Sequence, residues 1–212
     1  MFNKQNLIDF EQNIAQIYNT GCIPGPVHLR NGNEAALIEI FKEVNYNDYV
    51  FCTWASHLEA ILHGIDHENV KRKIVEGKSI TLCWAERNFY SSAIVGGTCP
   101  IAVGVANAIK NEGSKQKVWC FLGDMGGMTG IFMESARYAR NFNLPITFVI
   151  QDNGKSVNTN TNEAWKQGVC SSIYDFMAVE NKGCLVTSTK VDDTTILKFG
   201  SLIYYFQYKL DY

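Results

Sequence analysis

Asp124 and Asn153 are the side chains in this sequence whose type and spacing most directly suggest chemistry. Each follows a run of β-branched, aromatic and aliphatic residues, Val118–Gly123 and Ile146–Gln151, of the length of a buried strand. A carboxylate and an amide oxygen are hard ligands of the kind magnesium takes while leaving positions for water and phosphate oxygens. Gly126, Gly127 and Gly130 follow Asp124 and offer bare backbone N–H groups at a helix start, where an anion can approach closely. A metal-bridged diphosphate suits such a set. An Asp cap and a glycine turn in an ordinary strand–helix–strand unit account for the same residues without a ligand.

What would bring the two side chains together is the segment between them. Ile131–Asn141 carries apolar or small residues at Phe132, Ala136, Ala139 and Phe142, a helical spacing, and Pro145 restarts the chain. The right-handed crossover makes the flanking strands parallel, with both C-terminal ends on one sheet edge. Asp124 and Asn153 are therefore expected in one crevice. Elsewhere the patterning predicts helices over Asn6–Tyr18 (Leu7, Phe10, Ile14 and Ile17 on one face), Glu34–Val44 (Ala35, Ile38 and Phe41 inward), Val70–Glu76 and Cys99–Asn111. It predicts a buried strand emptying into a loop over Asp48–His57, another strand at Cys184–Val191, and a helix over Thr194–Tyr212. The expected class is α/β, a three-layer sandwich around a mainly parallel sheet, as a single domain over 1–212. The N-terminal helix in 1–20 and the aromatic tail 194–212, with Tyr204, Tyr205, Phe206, Tyr208 and Tyr212, are possible subunit contacts, although the tail could equally cover the core.

Composition narrows the classes. The chain has 212 residues, 46% of them hydrophobic, enough for one well-buried α/β domain. A formal net charge of −2 gives no broad positive field, so nucleic acid is not an expected partner. Seven cysteines scattered through apparent strands read as reduced thiols. The absence of a leader pattern or a membrane-length apolar run leads to the expectation of a cytoplasmic protein with no membrane association. No Cys or further clustered ligand accompanies His63, Asp66 and His67, which read as surface helix ends.

Gly123-Asp124, followed by Asn153 twenty-nine positions after the Asp, resembles the thiamine diphosphate motif. Further blocks make the chain similar to the alpha subunit of the decarboxylating component of 2-oxo acid dehydrogenases, from about Gly21 to about Asp193. His28, ahead of Gly32-Asn33-Glu34-Ala35, matches a His before Gly-Gln-Glu-Ala. Asp48-Tyr49-Val50 and Thr53-Trp54-Ala55-Ser56-His57 match Asp-Tyr-Val and Thr-Tyr-Arg-x-His. Asn88-Phe89-Tyr90 with Ile94-Val95-Gly96 matches Asn-Phe-Tyr and Ile-Val-Gly. The resemblance implies thiamine diphosphate and magnesium as cofactors. The metal would be held by Asp124, Asn153 and the Lys155 carbonyl, and the cofactor would be contacted by His28, Trp54, Ala93, Val95, Gly123, Asp124, Met125, Gly126 and Asn153. His28 and His57 would be the catalytic histidines. Read without the family, His28 is a hydrogen-bonding loop residue, His57 could cap the helix beginning at Leu58, and Val95 could be core.

The departures are specific. Met125 replaces the second motif glycine, Asp152 the first asparagine, Trp54 a tyrosine, and Cys83 stands where relatives often carry a histidine. Ala55 replaces an arginine that contacts the diphosphate. Either another cation substitutes, with Arg30, Lys155 and Arg87 as candidates, or the diphosphate is held less firmly. No acid here matches the glutamate that activates the cofactor, which in two-chain relatives comes from the beta subunit. The resemblance therefore implies the diphosphate-binding half of an α₂β₂ enzyme, completed by a pyrimidine-binding beta-type chain and inactive alone. It would decarboxylate a 2-oxo acid and transfer the acyl or aldehyde unit. The alternatives are a two-chain transketolase-like or carboligating enzyme acting on a sugar or other carbonyl compound, and a non-catalytic structural subunit.

Overall fold

The computed structural model describes residues 3–180 and 186–209, of which 178–180 through the backbone alone. Its centre is a sheet with strand order β2-β3-β1-β4-β5-β10-β9-β8. The strands are β1 (Tyr49–Cys52), β2 (Cys83–Trp84), β3 (Phe89–Ser91), β4 (Val118–Gly123), β5 (Ile146–Asp152), β8 (Val186–Val191), β9 (Thr194–Phe199) and β10 (Ile203–Gln207). The pairs β3–β1, β1–β4, β4–β5 and β5–β10 are parallel, and antiparallel strands close both edges. A separate two-stranded ribbon, β6 (Lys155–Ser156) with β7 (Thr159–Asn160), follows β5.

Side-chain alternation along the strands explains the three layers. Val50, Cys52, Trp119, Phe121 and Val149 meet one core, built with α1 (Lys4–Asn19), α2 (Glu34–Phe41), α3 (His57–Leu62) and α4 (His67–Lys73). Phe51, Cys120, Leu122, Phe148 and Ile150 meet the other, built with α5 (Thr98–Asn111), α7 (Gly130–Asn141) and α9 (Val169–Glu180). The short helices α6 (Asp124–Gly127) and α8 (Thr161–Ala164) lie in the loops after β4 and β7. The strand–helix–strand unit β4–α7–β5 forms as the pattern requires: Phe132, Ala136 and Ala139 are fully buried, and Phe132 meets Phe148 edge-on at 5.4 Å. No helix among the described residues is long and apolar enough to cross a membrane.

The structure corrects several sequence expectations. Thr194–Gln207 is not a helix but the strands β9 and β10, joined by a tight turn after Phe199. The stretch is rich in β-branched and aromatic residues, and Ile203–Phe206 is buried on both faces, which erases the period-2 signal. Tyr204, Tyr205, Phe206 and Tyr208 are buried within the chain itself, so these aromatics serve its own core; Tyr212 lies outside the described residues, as does Cys184. On α2 the most buried side chains are Ala36, Leu37 and Ile40, whereas Ile38 and Phe41 pack at the margin of the core and Ala35 is half-buried. The helix also stops at Phe41. His63 is buried, with Nε2 3.0 Å from the Arg87 carbonyl, and is no surface residue. Cys52, Cys99 and Cys120 are buried free thiols, while the free Cys22 and Cys83 are exposed.

β10 matters to the site because it pins the end of β5. The Tyr205 hydroxyl donates to Asp152 Oδ2 at 2.6 Å, and the Tyr208 amide donates to the Asp152 carbonyl at 2.9 Å. Burial first, and then this bond to a carboxylate, push the Tyr205 phenol up, so it stays protonated and able to donate. Tyr205→Phe leaves a buried carboxylate oxygen without its donor, and urea denaturation is expected to show a loss of about 1–3 kcal/mol.

Candidate functional site

At the C-terminal ends of β1, β4 and β5 the sheet opens into a recess of about 100 Å³. Its walls include Asp124, Met125 and Gly126 after β4, Gln151, Asn153 and Lys155 at and beyond β5, and Thr53, Trp54 and Ala55 after β1; His28 and Arg30 come from the α1–α2 segment. The register Gly123↔Gln151 brings the two chain exits side by side. Ligand sites in open α/β sheets lie outside the strands' carboxyl ends for this reason.

Asp124 is buried and begins α6. Oδ1 accepts from the Met125 amide at 2.8 Å and Oδ2 accepts a short hydrogen bond from the Thr161 hydroxyl. Burial holds its carboxyl above the ordinary aspartate value, and the repulsive charge of Asp152 adds to this; the bonds from Thr161 and Met125 and the charge of Arg30 act against it. Thr161 escaped sequence reasoning, since a threonine in a polar loop carries no signal until the chain folds back over β4. Met125 keeps φ outside the left-handed region, so the motif position tolerates a side chain. Gly126 and Gly127 are closely packed: a Cβ would lie 3.3 Å from Leu122 Cβ and 3.1 Å from Ile150 Cδ1.

Asn153 is half-buried, and its Oδ1 accepts from the Lys155 amide at 3.0 Å. The aspartate at 152 is bonded at both oxygens: Gly154 N donates at 2.9 Å to Oδ1 and the Tyr205 hydroxyl donates to Oδ2. A carboxylate accepts at both oxygens, so both bonds form with the Tyr205 hydroxyl as donor, whereas an asparagine would reverse the direction of the Tyr205 bond.

Of the other sequence-predicted positions, His28, Trp54, Gly123 and Val95 line the recess. The His28 and Trp54 rings meet edge-on at 6.1 Å. Burial, then the charge of Arg30, lowers the His28 pKa and keeps the ring neutral. Val95 is 44% exposed on the loop before α5, so it is not core. Ala93 is exposed on the same loop and is not part of the recess wall.

His57 is not brought to the recess. It is buried as the first residue of α3, with Nε2 2.8 Å from Ser79 Oγ, and it makes no cap. Burial, then repulsion from the His28 ring where both imidazoles would be protonated, lowers its pKa to about 4. Its Nδ1 comes within 4.0 Å of Glu11 Oε1. This is not an ion pair: the imidazole is neutral, and burial raises the Glu11 pKa to about 7 despite the Arg30 and Asn31 amides bonded to that carboxyl.

These groups belong to a buried polar layer beneath the recess. Gln151 links Asn33 Nδ2 and Glu59 Oε1, both at 2.7 Å, and Glu34 Oε1 accepts from the Gly32 amide. Gly32 has φ +113°, and a Cβ there would fall 2.2 Å from the Lys209 carbonyl oxygen. Only glycine permits that crossing. Among the described residues no three His, Cys, Asp or Glu side chains gather to hold a metal, so a cation here would depend on amide and carbonyl oxygens as well.

The model of the dehydrogenase E1 component family matches residues 3–197. The chain belongs to the dehydrogenase E1 component family. It is 31% identical over 161 residues to the alpha subunit of acetoin:2,6-dichlorophenolindophenol oxidoreductase from Cupriavidus necator, covering 71% of this chain and 48% of that protein. The corresponding alpha subunit from Bacillus subtilis is 30% identical over 183 residues, 81% of this chain and 54% of that one. The pyruvate dehydrogenase E1 component alpha subunit of Porphyra purpurea is 31% identical over 162 residues, 68% and 47% respectively. This E1-family chain spans about half the length of these relatives.

The Glu11 carboxyl gives the E1-family chain a pH signature. Its pKa rises from 4.5 to about 7 on folding, so its contribution to stability is intact below about 4.5 and is lost as pH rises through about 7. His57, lowered from 6.5 to about 4, contributes above 6.5 and loses that contribution as pH falls through about 4. Glu11→Gln removes only the first component. The stability advantage of wild type over this variant should therefore shrink between pH 4.5 and 7 in urea midpoints; a constant difference would contradict the buried neutral acid.

Proposed function

We propose that the chain is the alpha-type subunit of a two-chain thiamine diphosphate-dependent enzyme, and that the recess holds the magnesium–diphosphate end of the cofactor. The observation that carries this is the opening of Asp124 and Asn153 onto one recess at adjacent parallel strand ends. The donor set fits the group. Each Asp124 oxygen has one hydrogen-bond donor and the Asn153 oxygen has one, so every one of these hard oxygens keeps a lone pair for a cation. The Lys155 carbonyl is the third candidate ligand, and Arg30 on the same wall favours an anion.

When bound, thiamine diphosphate supplies an electron sink for cleavage of a bond beside a carbonyl carbon. The residues of this chain do the holding. Asp124 must be ionised to bind the cation, Thr161 orients its carboxylate, and neutral His28 offers one donor and one acceptor on the recess wall. Trp54 and Val95 make the wall partly apolar, and the exposed Ala93–Val95 loop suits closure by a second chain. That chain would be a beta-type, pyrimidine-binding subunit contributing the glutamate that activates the cofactor, in an α₂β₂ assembly.

The substrate class follows the names of the relatives. Pyruvate dehydrogenase alpha subunits favour a 2-oxo acid that is decarboxylated with transfer of the acyl or aldehyde unit, and the acetoin oxidoreductases favour a hydroxyketone as second reading. Calorimetric titration with thiamine diphosphate tests the site. Binding should require magnesium, and Thr161→Val should weaken the metal roughly 10- to 100-fold by freeing the carboxylate to turn. Because burial raises the Asp124 pKa, affinity should fall with decreasing pH sooner than for an exposed aspartate. Turnover should appear only after the partner chain is added. Metal-independent binding, or full activity of the isolated chain, would contradict the reading.

A further inference from the structure

The structure separates the three cations that could replace the arginine missing at position 55. Arg87 Nη2 donates to the Gly64 carbonyl at 2.9 Å and its guanidinium lies over the Tyr46 ring, outside the recess. Lys155 reaches the recess wall but is exposed on the two-stranded ribbon, where a flexible ammonium is well hydrated. Arg30 is different. It is 8% exposed, lines the recess, and is tied to the β1 exit: Nε donates 2.8 Å to the carbonyl of Ala55 itself and Nη2 donates 3.1 Å to Thr53 Oγ1.

A guanidinium has five N–H groups. Two are used in these bonds and a third faces the Tyr208 hydroxyl, which leaves two N–H groups with no acceptor among the described residues. A buried cation so incompletely bonded is costly unless something completes it. The surrounding acids do not. Glu59 acts on Arg30 electrostatically but gives Oε1 to Gln151, and Glu11 bonds the Arg30 backbone amide rather than the side chain. Asp124 is near enough for its carboxyl to feel the Arg30 charge, yet both its oxygens are bonded elsewhere. The Tyr208 hydroxyl lies beside the guanidinium and interacts with it, but too loosely to make a well-formed hydrogen bond.

We propose that Arg30 is the anion-binding residue of this site, that its free N–H groups bind the diphosphate, and that it takes over from position 55. The inference rests on the thiamine diphosphate reading above. Its chemistry is that of a planar, permanently charged fork held by Ala55 and Thr53, so that little side-chain freedom remains to be lost when phosphate oxygens arrive. A metal-bound diphosphate keeps net negative charge, which one guanidinium balances. The arginine has moved from the β1 exit to the α1–α2 segment, while its tether remains the backbone of residue 55.

The test is calorimetry of the chain with inorganic pyrophosphate and magnesium, which needs no partner subunit. Arg30→Met should lose roughly 10- to 100-fold in affinity, the range for hydrogen bonds to a charged group, and Arg30→Lys most of that. Arg30→Met combined with Ala55→Arg should recover binding. In the wild-type chain the Arg30 Nε resonance should shift on adding pyrophosphate, a readout that needs no variant to fold. Equal pyrophosphate affinity in wild type and a folded Arg30→Met, or an unmoved Nε resonance in a chain that binds pyrophosphate, overturns the assignment of Arg30 alone. A wild-type chain that binds neither pyrophosphate nor thiamine diphosphate with magnesium overturns the cofactor reading, and this inference with it.

Discussion

The parallel pairing of β4 with β5 is the constraint on which the rest depends. Six residue pairs, Val118↔Ile146 through Gly123↔Gln151, fix where each strand stops, and the chain must leave the sheet at neighbouring points. A shift of one residue would turn every inward side chain of one strand to the opposite face, exchanging Cys120 and Leu122 for Trp119 and Phe121 between two filled cores. The apolar packing on both faces therefore enforces the register, and the register sets the distance between Asp124 and Asn153. Site geometry here is a by-product of core geometry. β10 reinforces it from the far side through Tyr205 and the backbone of Tyr208, both bonded to Asp152.

Beneath the recess the protein departs from the usual rule that interiors are apolar. Glu11, Arg30, Asn33, Glu34, His57, Glu59 and Gln151 are all buried. Some are well bonded, but Asn33 Oδ1, Glu34 Oε2, His57 Nδ1 and Glu59 Oε2 have no hydrogen-bond partner among the described residues. Such groups cost free energy unless water or a ligand completes them. The layer separates the apolar core from the recess and supports Arg30 from below, and burial keeps Glu11 protonated and His57 neutral near pH 5.5, between their values of about 7 and about 4. Stability is surrendered where the wall of the recess has to be held still, a common arrangement beneath binding sites.

The departures from the family motif become intelligible as packing and hydrogen-bond problems. Met125 occupies ordinary backbone space, so the second motif glycine is dispensable here. Asp152 is held at both carboxylate oxygens, by the Gly154 amide and the Tyr205 hydroxyl. Ala55 gives up a side-chain charge while its carbonyl anchors another one. None of the three damages the scaffold, which weakens the case for a structural subunit that has lost its site.

The sequence alone determined the central unit. Long apolar runs ending in Gly123-Asp124 and in Asp152-Asn153, with a helical pattern between them, leave little choice but two parallel strands opening on one edge, because period and crossover handedness are local and chiral rules. Sequence pattern suggests a helix over β10 because a strand buried on both faces loses its alternation, and only its pairing with β5 and β9 reveals it. Tertiary structure alone decided that His57 lies behind the recess, that Thr161 folds back onto Asp124, and that Arg30, twenty-five positions before Ala55, bonds its carbonyl. Those contacts join segments far apart in the chain, and no pattern of neighbours in sequence encodes which distant donor will meet which acceptor once the cores have closed.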